Sequence, residues 1–237
     1  MNKNLLLIAA LTAGGLAWSS GASAGVLAEY SIDGGATFTS ICSGPSSGCA
    51  GSATTGNGIV ISLQTASSTS PGSPSLADLF SSNNNITNTS THTESVIILI
   101  GDTDFTMPIT PPALNLQSNI GDTVVKGGSA DALSYFSCID QGNGQNVCPG
   151  TYSTAALTPS ITTPGSDNAT NTISIASLSG PYSMTEQFNI TLSAGAKFND
   201  SASTFLSAPV PEPASLGLLG IGLIGLGWRR LARRKSA

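Results

Sequence analysis

Met184-Thr185-Glu186-Gln187-Phe188-Asn189-Ile190-Thr191-Leu192 is the stretch whose reading decides the fold. Phe188, Ile190 and Leu192 recur at every second position, with Gln187, Asn189 and Thr191 between them. Successive side chains of a strand point to opposite faces, so this pattern makes one face apolar and the other polar. It predicts a half-exposed antiparallel strand. No long helical pattern appears between residues 25 and 208.

Similar segments lie on both sides. Lys197 to Leu206 comes after it, while Thr172 to Leu178 and Leu133 to Ile139 precede. Leu114 to Ile120 and Thr123 to Lys126 flank Gly121-Asp122, which predicts a hairpin turn there. Ser95 to Ile100 is an unbroken apolar run, the mark of a central strand buried on both faces. Asp102-Thr103-Asp104 is expected to leave that strand by a turn. Ile59, Ile61 and Leu63 alternate with polar residues. So do Val26, Ala28, Tyr30 and Ile32, ahead of a strong turn at Asp33-Gly34-Gly35 and a return over Thr37 to Ile41. Ser73-Pro74 before Leu76 to Phe80 has the form of a helix start and predicts a short helix. The hydroxyl- and amide-rich stretches Ser67 to Ser75 and Ser81 to Thr93 are read as long loops. Many short strands separated by Gly, Pro and Asn turns predict an all-β antiparallel β-sandwich, jelly-roll or Ig-like.

Composition narrows the partners. Between residues 25 and 208 only Lys126 and Lys197 are basic, against twelve Asp and Glu; two minus twelve leaves −10, beside −5 for the whole chain. Nothing there neutralises phosphates, so nucleic acid and anionic lipid are disfavoured as partners of this region. The four cysteines fall in two close pairs, Cys42 with Cys49 and Cys138 with Cys148, each bracketing a turn-rich loop. In an oxidising compartment the local pairing is the expected one of three connectivities.

The two ends carry addresses. Lys3 precedes an apolar run from Leu5 to Ala17 and the small-residue triplet Ala22-Ser23-Ala24. That order is a secretory signal peptide over residues 1–24, cut so that the mature chain begins at Gly25. At the other end, Pro211-Glu212-Pro213 is followed by an uncharged Gly/Leu/Ile stretch from Ala214 to Trp228. Arg229, Arg230, Arg233, Arg234 and Lys235 then close the chain. With Leu231 and Ala232 included and the arginines reaching outward, the stretch is long enough for one transmembrane helix whose basic end stays cytoplasmic.

This C-terminal segment, residues 209–237, resembles the PEP-CTERM sorting signal of exported proteins from Gram-negative bacteria that make extracellular polysaccharide. The resemblance implies recognition near Pro211, Glu212 and Pro213 by exosortase, a membrane enzyme of transpeptidase type. The expected partners are then the Sec translocon and signal peptidase, an exosortase-type enzyme, the membrane through the C-terminal helix, and extracellular polysaccharide. The expected itinerary runs from an inner-membrane-anchored intermediate to the cell surface or the medium. Residues 25–208 form the extracytoplasmic domain.

The body offers little chemistry. His92 is the sole histidine, in a polar segment, and no Gly-x-Ser-x-Gly elbow accompanies it. Asp102 and Asp104, with Asp33, Asp122 or Asp140, are the right ligand type for calcium but lack an EF-hand spacing, and turn capping explains them better. No catalytic residue, metal ligand or cofactor site is expected. The predicted role is structural, adhesive or polysaccharide-associated; the alternatives are a secreted glycan-acting hydrolase and a permanently membrane-anchored protein.

Overall fold

The computed structural model describes residues 25–109 and 113–209. The expected signal peptide over residues 1–24 and the segment from Val210 onward, with the sorting motif, the apolar run and the basic cluster, lie outside the described residues. Twelve strands occur in chain order: β1 (Gly25–Ser31), β2 (Thr39–Pro45), β3 (Cys49–Thr54), β4 (Ile59–Ser68), β5 (Leu76–Asn88) and β6 (Glu94–Phe105). Then come β7 (Leu114–Lys126), β8 (Ala132–Asp140), β9 (Tyr152–Ser153), β10 (Gly165–Ile175), β11 (Tyr182–Leu192) and β12 (Lys197–Ser207). Among the described residues no helix is long and apolar enough to cross a membrane.

The strands form two six-stranded sheets, β2-β1-β6-β11-β8-β9 and β10-β7-β12-β5-β4-β3, with every pairing antiparallel. They are called sheets A and B. The chain crosses between sheets at almost every step from β5 to β12. That gives the orders β6-β11-β8-β9 and β10-β7-β12-β5, which is jelly-roll strand order, with β1–β4 widening each sheet at one edge. The Cys42–Cys49 disulfide joins β2 of sheet A to β3 of sheet B, so it staples the sheets at that edge. The Cys138–Cys148 disulfide pins the loop after β8 to its own strand.

The core lies between the sheets. Phe188, Ile190 and Leu192 of β11 point into it, as the alternation predicts, with Ile98 and Ile100 of β6, Ile59 and Ile61 of β4, and Phe198 of β12. A second cluster holds Leu79, Phe105, Leu114, Leu116, Tyr182 and Met184. In β6 the residues Ile98 to Asp102 are all buried, but Ser95 is exposed and Ile97 half-buried, so the strand is central and covered on both faces only beyond Ile97.

Four local expectations are corrected. Gly121-Asp122 is no hairpin: β7 runs through it without a break, because its partners β10 and β12 pair with both residues. Asp102-Thr103-Asp104 is not a turn, since β6 continues to Phe105. Leu76 to Phe80 is strand and not helix. Ala77 and Leu79 face the core at a period of two, and Ser73 closes a tight turn by accepting from the Leu76 amide at 3.0 Å. Most of the expected loop Ser81 to Thr93 is the second half of β5, and β4 extends through Ser68 into the other. Within β5, Ser81 and Asn84 turn inward because polar groups of other strands, Glu186 and Asp200, meet them there.

Candidate functional site

Two places concentrate chemistry: a groove on the outer face of sheet A and a polar row inside the sandwich. The outer face of a central sheet is ordinarily solvated. Here the disulfide-pinned loop covers one half of it. Gln145 Nε2 donates to the Gly101 carbonyl at 2.8 Å and Asn146 Nδ2 to Glu29 Oε2 at 2.8 Å. Asn143 Nδ2 donates to Asp104 Oδ1 at 2.7 Å. Asp140 accepts the Gly144 amide at 3.0 Å, so Asp104 and Asp140 serve as loop anchors.

The other half is open, and forms a groove of about 690 Å³. Its floor is made by outward-facing residues of three adjacent strands: Ser95 and Ile97 of β6, Asn189 and Thr191 of β11, and Ser134 of β8. Ser95 and Thr191 are cross-strand partners whose hydroxyls meet at 2.9 Å. One wall is the turn after β1. There Gly34 and Gly35 take φ of +75° and +93°, which a glycine adopts at no steric cost. Ser31 and Thr37 hydroxyls and the Thr37 amide hydrogen-bond to Asp33, holding its carboxyl below the usual carboxylate range. The opposite wall is residues 158–162, laid against the sheet edge by the reciprocal backbone pair of Tyr135 with Leu157 and by buried Ile161. Asp131 is the one charged residue lining the groove, and its oxygens are engaged by the Gly128 and Ser193 amides. The groove therefore offers hydroxyls, an amide and aliphatic surface. It suits a neutral polar ligand.

The interior row starts from Glu186, which lies in phase with Phe188 and is wholly buried. Its Oε2 accepts from Ser81 of β5 at 2.8 Å, and its Oε1 from Tyr135 of β8 at 3.2 Å and Thr204 of β12 at 3.3 Å. Thr204 continues to Ser137 at 2.6 Å, Ser137 to Ser118 at 2.7 Å, and Ser118 to Thr154 at 2.7 Å. On the other side Asn84 Nδ2 contacts Ser81 Oγ at 3.4 Å and Asp200 Oδ1 at 2.5 Å. A hydrogen-bonded chain thus runs from Asp200 to Thr154, across both sheets and between the two apolar clusters. Burial pushes the Glu186 carboxyl up to about 8 and Asp200 to about 7, the latter aided by the Asp122 charge. Asp122 rises to about 6, through burial first and the Asp167 charge second.

Among the described residues no three of the five aspartates considered from the sequence come together as one ligand set. Asp33 caps a turn, Asp104 and Asp140 anchor the loop, and buried Asp102 accepts from Ser68 and the Thr103 amide. His92 is exposed, does not line the groove and takes no part in the interior row. Glu186, Asp200 and Asn84 were not singled out by sequence reasoning. A signal was present for the acids: Glu186 is in phase with Phe188, Asp200 with Phe198 and Ala202, and Asp122 with Ile120 and Val124. A carboxylate on the apolar beat of a strand marks an interior polar site.

Outside the body, residues 209–234 match the family of the PEP-CTERM protein-sorting motif. The chain carries a PEP-CTERM sorting motif. The match bears out the resemblance drawn from Pro211-Glu212-Pro213 with its apolar stretch and basic end. It implies processing by exosortase, a membrane enzyme, and export to the cell surface or beyond. It covers the C-terminal segment alone. No curated protein matches the PEP-CTERM-bearing chain in sequence. Among solved structures the chain is similar to TmCBM61 in complex with beta-1,4-galactotriose, at 10% identity, covering 52% of this chain and 70% of that one with a TM-score of 0.32. At that score the likeness supports no statement about binding.

Proposed function

We propose that this is an exported surface protein that binds neutral polysaccharide, without turnover, through the groove on the outer face of sheet A. The observation that carries the reading is the lining. Ser95, Asn189, Thr191 and Ser134 present hydrogen-bonding groups beside Ile97, and the single carboxylate is occupied by backbone amides. Sugar rings present hydroxyls at their rims and C–H surface on their faces, which such a mixture complements. A body of net −10 would repel acidic glycans, so uncharged chains are the favoured class.

Delivery depends on the two ends. In this reading the signal peptide is removed after Ala24 and residues 214–228 hold the protein in the inner membrane. Cleavage near Pro211, Glu212 and Pro213 then frees it to the surface or matrix, where it has an adhesive or structural role.

The test is affinity electrophoresis of the purified protein in gels containing neutral and acidic polysaccharides, with product analysis of the same mixtures. Retardation by a neutral glycan with no new reducing ends supports the proposal. Release of products makes the protein a hydrolase, and uniform migration removes the binding role.

A further inference from the structure

We propose that Asp122, Asp200 and Asn84 bind a hard divalent cation of the calcium class inside the sandwich, between β7, β12 and β5. The site is independent of the groove. Strand register makes it: Asp200 of β12 stands opposite Asp122 of β7 on one side and opposite Asn84 of β5 on the other. Asp167 of the edge strand β10 extends the row beyond Asp122 to the exposed edge. Directly opposed residues on antiparallel strands hold their Cβ atoms about 4.5–5.5 Å apart. Side chains on one face at that spacing can share an ion whose oxygen ligands lie about 2.3–2.6 Å away.

A bulge supplies the third ligand. Between the pairs Asp200–Asn84 and Ala202–Ser81, β5 carries two residues against one of β12, and Asn83 takes a φ of +52°. Without the extra residue Ser81 and Asn84, three apart, would face opposite ways. With it both point inward, and both are buried.

The second observation is the state of the oxygens. Asp122 is 4% exposed and Asp200 2%, yet both oxygens of Asp122, Oδ2 of Asp200 and Oδ1 of Asn84 are buried with no hydrogen-bond partner. These are four of the eight such atoms among the described residues, gathered in one row. All four are acceptors. Leaving a carboxylate buried and unpaired is severely unfavourable, so something must answer them. A proton shared by the two aspartates would serve one oxygen of each, leaving the second oxygen of Asp122 and the Asn84 carbonyl unmet. A cation answers all four.

Among the described residues no three of His, Cys, Asp and Glu converge on a metal site. The donor set is accordingly mixed, two carboxylates and an amide, with the remaining positions left to water. All-oxygen donors select calcium-like ions over zinc or copper.

The experiment uses the full-length protein, stripped with EDTA and then titrated with calcium chloride while the thermal midpoint is followed. A saturable rise of roughly 5 °C or more is expected for a site filled well above its dissociation constant. Asp122→Asn and Asp200→Asn should abolish the rise while the metal-free midpoint stays level or increases, since each removes a buried charge. Asp104→Asn, near the end of β6, should keep the response. Elemental analysis of wild-type protein equilibrated with calcium and desalted gives a readout that needs no variant: about one ion per chain is expected. No bound ion, a flat midpoint, or a rise that survives Asp122→Asn would overturn the site and leave a proton-sharing pair.

Discussion

The Glu186 carboxyl group on β11 accepts a 2.8 Å hydrogen bond from Ser81 on β5, so an acid of one sheet is answered by a hydroxyl of the other. The contact sits where the two apolar clusters meet. It makes the sheet-to-sheet packing specific in a way that interchangeable aliphatic contacts do not.

The first prediction concerns pH. A Glu186 carboxyl raised from 4.5 to about 8 keeps its proton in the fold at pH values where the unfolded chain has lost it. Its contribution is therefore fully present below about pH 4.5 and is lost as pH rises to about 8. Metal-free protein should lose roughly 1 kcal/mol per pH unit across that window for this one proton. Glu186→Gln keeps hydrogen-bonding capacity without the charge and should flatten that part of the slope. Urea titrations at several pH values measure it; parallel curves for variant and wild type would rule out the linkage.

The disulfides should differ in kind. Cys42→Ser with Cys49→Ser frees the edge staple between sheets and should cost about 2–3 kcal/mol, from the loop-closure entropy of a short ring. Cys138→Ser with Cys148→Ser should instead release the loop over Gly101 and its cross-strand partner Thr185, and amide exchange there should accelerate. Hydrogen exchange by mass spectrometry separates the two, and identical patterns would refute the assignment.

Groove variants should change binding and spare the fold. Asn189→Ala and Thr191→Ala point outward and should each weaken glycan retardation by about fivefold, the worth of one net hydrogen bond. Their unfolding midpoints should move little. Gly127→Ala behaves differently, because a Cβ there would meet Thr162 O at 2.5 Å and Ile161 O at 2.7 Å. These are backbone atoms of the groove wall, so the wall must shift. Stability should fall by about 1–3 kcal/mol along with retention. Retention that is unchanged in all three variants would place the ligand elsewhere.

Replacing Glu212 tests delivery. Glu212→Ala should leave protein in the membrane fraction at the mass of a chain that retains its tail, whereas wild type in the medium or matrix should end near Pro211. Intact mass of both fractions decides it, and normal release of the variant would count against recognition of the motif.

Strand identity was legible in Met184 to Leu192 and Ile59 to Leu63, because alternation is a local property of the chain, but not in Leu76 to Phe80, where the Ser73-Pro74 start signal suggested a helix. It failed at Ser81 to Asn88 and at Gly121-Asp122, where polar residues suggested loops. Ser81, Asn84 and Asn88 meet polar partners brought from distant strands, such as Glu186 for Ser81. Local pattern carries no information about such partners.

The sorting address and the acidic, arginine-free body were determined by the amino-acid sequence alone, since short linear motifs and charge act without a fold. The cysteine pairing was foreseen, but not that Cys42–Cys49 would join two sheets. Only the tertiary structure decided the groove and the row of Asp122, Asp200 and Asn84. Both depend on which strands become neighbours, in what register, and on a one-residue bulge, and these are settled by packing across the whole sandwich.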